Sequence, residues 1–145
     1  MSLRWLRAGE LLAAAGAALV IVSLLEPWYE GPAGKLDAWD TFGPAMVLLL
    51  AATVAAIALA LSTVTERSAA LPVAIGVCSV PLGLLAVIAA VVRLLERPQH
   101  TTAVCVGAWL ALAGAVAILV GAWLALRDER PSRYRPAAPD PRPQP

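Results

Sequence analysis

Four long apolar runs constrain the fold of this chain more than any other feature of its sequence. They cover residues 8–25, 44–61, 69–92 and 103–126, and each approaches or exceeds the 20 or so residues that a helix needs to cross a bilayer. The sequence therefore predicts an all-α integral membrane protein. Residues 1–130 are expected to form an antiparallel bundle of four transmembrane helices.

The composition points the same way. Hydrophobic residues make up 60% of the chain and charged residues only 14%, whereas a soluble domain usually carries about 25% charged residues. The mean hydropathy of +0.76 excludes a disordered chain and argues against an ordinary water-soluble globule. A formal net charge of +1 supplies no basic surface for nucleic acid, so no nucleic-acid partner is expected.

The basic residues predict the orientation of the bundle. With the N-terminus inside, the inner segments hold eight Lys and Arg residues and the outer segments three, so both termini are expected to face the cytoplasm. The first run also resembles a signal peptide. However, no small-residue cleavage site follows it, since the chain continues Glu26-Pro27-Trp28-Tyr29, and a retained helix is expected.

The end of the chain differs in composition from the rest. Residues 131–145 are rich in proline and arginine, which predicts a disordered cytoplasmic tail. Such a tail either serves only to fix the topology, or acts as a docking peptide or as an anionic-lipid contact through its arginines.

The glycines of the apolar runs follow a regular spacing. Within each helix that contains them, they recur every seven residues, which keeps them on one side of the helix and allows the close approach of a second backbone. These candidate helix-packing residues are expected to hold the third helix against the fourth; the alternatives are a surface for another membrane subunit and chance in an alanine-rich chain. The set is Gly9, Gly16, Gly76, Gly83, Gly107, Gly114 and Gly121.

The first outer loop, residues 26–43, concentrates aromatic and acidic residues. Leu36, Trp39 and Phe42 recur every third residue, which predicts a short helical turn lying on the outer leaflet with its acids toward water. The loop is interpreted either as an interfacial anchor or as a contact for a partner or lipid. Its candidate contact residues are Trp28, Tyr29, Asp37, Trp39, Asp40 and Phe42.

Polar residues inside the runs are few. The third and fourth runs contain no ionisable side chain, although ion and substrate pathways through membranes normally need such groups. Glu10 is the one acid in a run, and it is interpreted either as an interfacial residue paired with Arg7 or as the working group of a small transporter. No nucleophile–base pair, metal-ligand set or phosphate loop is present, so neither an enzyme nor a cofactor is expected.

Two short segments carry a resemblance to a protein family. Glu26-Pro27-Trp28-Tyr29 and Ala38-Trp39-Asp40-Thr41-Phe42, followed by three further apolar runs, resemble small four-helix integral membrane proteins of high-GC actinobacteria. The resemblance implies the topology and a bacterial plasma membrane, but no activity. A chain with ten Arg, one Lys and no Asn agrees with a high-GC source.

The function expected from these features is structural rather than catalytic. The chain is interpreted as a non-enzymatic accessory or scaffold subunit whose partners are the lipid bilayer and either another membrane protein or further copies of itself. The alternative is a small transporter or lipophile-binding carrier that uses Glu10.

Overall fold

A computed structural model describes residues 8–32, 34–40, 43–65, 70–96 and 101–128. Within these ranges the chain is mostly helical, as the sequence predicts, and it also contains three short strands. The elements in chain order are α1 (Ala8–Leu25), β1 (Tyr29–Gly31), β2 (Gly34–Leu36), α2 (Pro44–Thr65), α3 (Ala70–Leu95), β3 (Ala103–Val104) and α4 (Val106–Asp128).

Each helix is long and apolar enough to cross a membrane. The qualifying stretches are 18 to 22 residues long, and a 22-residue helix extends about 33 Å at 1.5 Å per residue. Proline helps to set some of the boundaries. Pro44 occupies the first turn of α2, where its missing N–H costs nothing, and Pro27 follows shortly after the end of α1.

The four helices form a closed ring. Each helix packs against its neighbours in sequence, and α1 also packs against α4. The α1–α4 and α3–α4 pairings are antiparallel. Between α1 and α4, Gly9 lies beside Gly121 and Gly16 lies beside Gly114. Across α3 and α4, Gly83 lies beside Leu119, while Gly76 faces the Leu126 side chain.

The closest glycine contacts therefore join α1 to α4, whereas the sequence analysis placed them between α3 and α4. The reason lies in what each glycine faces. Gly16 meets a second glycine, so the two backbones approach there with only the small side chain of Ala117 beside them. Gly83 meets the Cα of Leu119 and Gly76 meets Cδ2 of Leu126, each 3.0 Å from the position of a Cβ, so α3 approaches α4 less closely than α1 does.

The interior of the bundle is built from small side chains and its exterior from large ones. Alanine supplies 13 of the 21 buried hydrophobic residues, and the helices turn leucine, valine, isoleucine and tryptophan side chains outward. Water would drive those large side chains inward. Small residues at helix contacts with large apolar residues outside are the arrangement expected of helices that face hydrocarbon.

A small sheet covers one end of the ring, and the sequence analysis did not predict it. Its strand order is β2-β1-β3, with both pairings antiparallel, and Tyr29 lies opposite both Leu36 and Val104. The predicted helical turn over residues 36–42 is not formed, because Leu36 ends β2 and residues 38–40 make a turn. Helix α4 begins at Val106 rather than at residue 103, because Ala103 and Val104 pair with β1. Phe42, Arg7 and the predicted tail over residues 131–145 lie outside the described residues.

Candidate functional site

The end of the bundle that carries the sheet is the most elaborate part of the structure. We call β1, β2 and β3, together with residues 26–28 and 37–40, the strand cap. Five of the six predicted outer contact residues lie in the strand cap. They are Trp28, Tyr29, Asp37, Trp39 and Asp40. The sixth is Phe42, outside the described residues.

Trp28 is buried at the base of the strand cap, with 1% of its surface exposed. Its indole Nε1 donates to the carbonyl of Ser23 over 2.7 Å, a shorter bond than the 3.4 Å one that the same carbonyl accepts from the Glu26 N–H at the end of α1. Its backbone N–H donates to Leu36, and its carbonyl accepts from Cys105. The prediction that Trp28 belongs to an outer contact surface is therefore wrong, because the side chain is enclosed by the protein itself.

Tyr29 is also buried, and the same prediction is wrong for it. Its hydroxyl donates to the carbonyl of Arg93 over 2.7 Å, and this bond joins β1 to the last turn of α3. Burial raises the pKa of Tyr29 above 10.0, although the positive charge of Arg93 acts in the opposite direction. The rings of Trp28 and Tyr29 meet edge to face, with their centroids 6.4 Å apart.

The start of α4 is bonded to the same unit. The backbone N–H and the hydroxyl of Thr102 both donate to the carbonyl of Glu30, over 2.7 and 3.0 Å, and Gly107 donates to Pro27 over 3.0 Å. A Cβ at Gly107 would lie 2.6 Å from Cδ1 of Trp28, so the indole occupies space that only glycine leaves free. The strand cap thus fastens the ends of α1, α3 and α4 to one another.

The turn over residues 37–40 takes no part in the hydrogen bonds that join the ends of the helices. The N–H of Asp37 donates to Oδ2 of Asp40 over 3.1 Å, which closes the turn, and both acidic side chains are exposed. Trp39 is 56% exposed between them. Three of the predicted contact residues are therefore accessible on the turn.

The glycines of α1 and α4 form a second candidate site, and we call Gly9, Gly16, Gly114 and Gly121 the glycine seam. A Cβ at Gly16 would lie 2.7 Å from the carbonyl oxygen of Gly114, and one at Gly114 would lie 2.8 Å from the carbonyl oxygen of Gly16. Gly9 and Gly121 approach each other in the same reciprocal way. Real Cβ atoms are almost never found so close to backbone atoms, so these positions accept only glycine without a shift of the helices.

The buried hydroxyl groups are used within their own helices. Each donates to a carbonyl three or four residues earlier in the chain. None of these four bonds crosses from one helix to another. The pairs are Ser23 with Val20, Thr53 with Leu49, Ser62 with Leu59 and Ser79 with Ile75.

Glu10 is the one buried acid in the described part of the chain, at 4% exposed. It lies in the first turn of α1, where the partial positive charge of the helix end favours a carboxylate. Its burial among the helices is compatible with both interpretations of this residue, an interfacial acid and the working group of a small transporter.

Sequence reasoning missed Ser23, Arg93 and Thr102, which hold the strand cap together. Ser23 and Arg93 act through their backbone carbonyls. Every residue type has such a carbonyl, so the sequence does not reveal this role. Over the described residues, no group of three His, Cys, Asp or Glu side chains is placed to hold a metal ion. No match was found among protein-family models, curated proteins or solved structures.

Proposed function

We propose that this chain is a multi-pass protein of a bacterial plasma membrane and serves there as a non-enzymatic accessory or scaffold subunit. Both termini face the cytoplasm, and the strand cap faces the outside. The observation that carries the proposal is the exposed Trp39 on a closed acidic turn, which is attached to a buried and hydrogen-bonded base.

Insertion in the membrane is supported by the outward-facing side chains. Leu25 is 78% exposed and Leu95 is 76% exposed. In water, each Å² of this apolar surface forgoes about 25 cal/mol of the free energy that burial would provide. Hydrocarbon removes that cost. The orientation is supported by the predominance of arginine in the segments assigned to the cytoplasm.

A contact role for the turn is supported by its rigidity. Binding to a mobile loop costs free energy because the loop must be ordered, whereas a preformed loop avoids that cost. The Asp37–Asp40 bond closes the turn, and the Trp28–Leu36 bond fixes the strand that leads into it. An exposed tryptophan is also among the side chains most often responsible for the affinity of protein interfaces.

The proposal is tested by substitution of the exposed tryptophan. The tagged protein is purified from its native membrane in mild detergent, and the proteins that accompany it are quantified by mass spectrometry. We expect a stoichiometric membrane partner that is lost with Trp39→Ala. Trp109→Ala is the matched control, because Trp109 is similarly exposed, at 58%, but lies on the outer face of α4. The proposal is overturned if the wild type carries no stoichiometric partner, or if Trp39→Ala retains it.

The burial of Glu10 favours one alternative, a small transporter or lipophile-binding carrier that uses this carboxylate. A buried ionisable group in a membrane helix is often functional. In this case Glu10→Gln abolishes transport into vesicles, while Glu96→Gln, at an exposed position, leaves it unchanged. Equal transport by both variants would exclude the alternative.

A further inference from the structure

The outer face of α3 carries a backbone acceptor that its own helix cannot satisfy in the usual way. Pro81 lies inside α3, and because proline has no N–H it cannot donate to the carbonyl of Val77, four residues earlier. Val77 and Pro81 are both exposed, so this carbonyl lies on the outward side of the bundle. The nearby hydroxyl of Ser79 donates to Ile75 instead.

Because its usual i+4 donor is absent, this carbonyl can accept a hydrogen bond from outside the helix. The position is within the apolar stretch Ala74–Leu95, where no bulk water is available once the helix spans a bilayer. An unsatisfied backbone group in hydrocarbon is costly, and membrane proteins normally find it a partner.

The outer face of α4 carries a donor at the same level. Gly83 lies beside Leu119 and Gly76 faces Leu126, so the two antiparallel helices keep one register over two turns. Trp123 is four residues beyond Leu119, and Ser79 is four residues before Gly83; the two are therefore level. Trp123 is 54% exposed, and its indole N–H is a donor only.

We infer that two copies of this chain associate in the membrane through the outer faces of α3 and α4, with the indole of Trp123 in each copy donating to the Val77 carbonyl of the other. Two copies inserted in the same orientation lie at the same depth. A two-fold axis along the membrane normal then places α3 of one copy against α4 of the other and makes both bonds at once.

The side chains around this pair fit a contact between copies. On α3 the outward positions that follow the Val77 carbonyl are apolar, and on α4 the outward positions that precede Trp123 are apolar, while exposed Cys78 and Arg127 also border the pair. A tryptophan that fills a gap between helices is a frequent anchor of interfaces. The apolar residues concerned are Leu84, Leu85 and Ile88 on α3, and Val116 and Val120 on α4. This face is separate from the turn that carries Trp39.

The experiment measures dimerisation of the full chain in vesicles of phosphatidylethanolamine and phosphatidylglycerol. The protein is labelled through a C-terminal tag, and the fraction of dimers is counted from single-molecule bleaching steps at a series of protein-to-lipid ratios. Trp123→Phe keeps an aromatic ring but removes the donor. Pro81→Ala supplies an N–H to the Val77 carbonyl, so that the acceptor is satisfied within α3.

The two substitutions are combined in a double-mutant cycle. We expect Trp123→Phe to weaken dimerisation about threefold to tenfold in the natural sequence, as a polar contact between membrane helices does, and to have no effect when Pro81→Ala is present. Trp109→Phe is the matched control, because Trp109 lies on the same outer face at the other end of α4; it leaves the dimer unchanged.

Three results would overturn the inference. The first is a monomer at every protein density, which would mean that lipid covers this face. The second is an equal effect of Trp123→Phe with and without Pro81→Ala. The third is a wild-type dimer that tolerates Trp123→Phe fully. None of these depends on a partner at Trp39, so the proposed function and the dimer are tested independently.

Discussion

Gly16→Ala is the substitution that examines the packing of the bundle most directly. A Cβ at this position would lie 2.7 Å from the carbonyl oxygen of Gly114 and 2.7 Å from the backbone nitrogen of Ile118. Ordinary contact begins near 3.4 Å, so α1 and α4 must separate locally by about 0.7 Å, the difference between the two distances. Neither contact atom belongs to a flexible side chain, so the strain cannot be relieved by a change of rotamer.

The size of the effect follows from two opposing contributions. Overpacking of a tight contact costs about 1–3 kcal/mol, whereas alanine is favoured over glycine within a helix by roughly 0.5–1 kcal/mol. We therefore expect Gly16→Ala to destabilise the protein by up to about 2.5 kcal/mol, the difference between the two contributions. The free energy of unfolding is measured from reversible unfolding in mixed detergent micelles, followed by circular dichroism.

Gly76→Ala is the matched control for this prediction. It gains the same helix preference, but the nearest atom to its Cβ is Cδ2 of Leu126, at 3.0 Å, the mobile end of a side chain. We expect this variant to be as stable as the wild type or slightly more stable. If Gly16→Ala were no less stable than Gly76→Ala, the close approach of α1 and α4 could not be the reason for glycine at position 16.

Two further predictions concern the strand cap. Trp28→Phe removes the indole donor of the Ser23 carbonyl and should lower the free energy of unfolding by about 1–3 kcal/mol. Trp39→Phe, on the exposed turn, should stay within about 0.5 kcal/mol of the wild type. Equal effects of the two substitutions would contradict a structural role for Trp28. The raised pKa of Tyr29 means that the folded protein holds this proton more tightly than the unfolded chain does, so its contribution to stability is complete below pH 10 and is lost as the pH rises through the folded pKa. The ultraviolet absorbance of tyrosinate, recorded on a Tyr134→Phe variant so that only Tyr29 titrates, should show ionisation above pH 10, and ionisation at or below that pH would contradict the burial.

The four helices could be predicted from the sequence because each is encoded by a continuous stretch of residues. The runs around α1 and α2 are almost entirely apolar, and Pro27 and Pro44 mark the end of α1 and the start of α2. The seven-residue glycine spacing likewise identifies residues suited to close contact. It does not say which helices meet, because a stripe on one helix is compatible with any neighbour; the partner of Gly16 depends on how the ring closes.

The strand cap could not be predicted for a different physical reason. Its strands are two or three residues long, shorter than the four or more residues over which alternation becomes recognisable. Its stability comes from bonds between distant backbone groups, such as Thr102 with Glu30. Trp28 and Tyr29 look like interfacial aromatics in sequence, and only the fold shows that Ser23 and Arg93 lie close enough to enclose them.

The pairing of α1 with α4 has a consequence for biosynthesis. In the proposed membrane location α1 would enter the bilayer before α4 is made, because chains are made from the N-terminus and membrane helices insert before they associate. Until α4 followed, Gly9 and Gly16 would lack the helix that they contact in the finished bundle, and α1 would have to persist as an independent spanning helix. A chain that stopped before α4 would leave uncovered the glycine face of α1 that α4 covers in the finished protein.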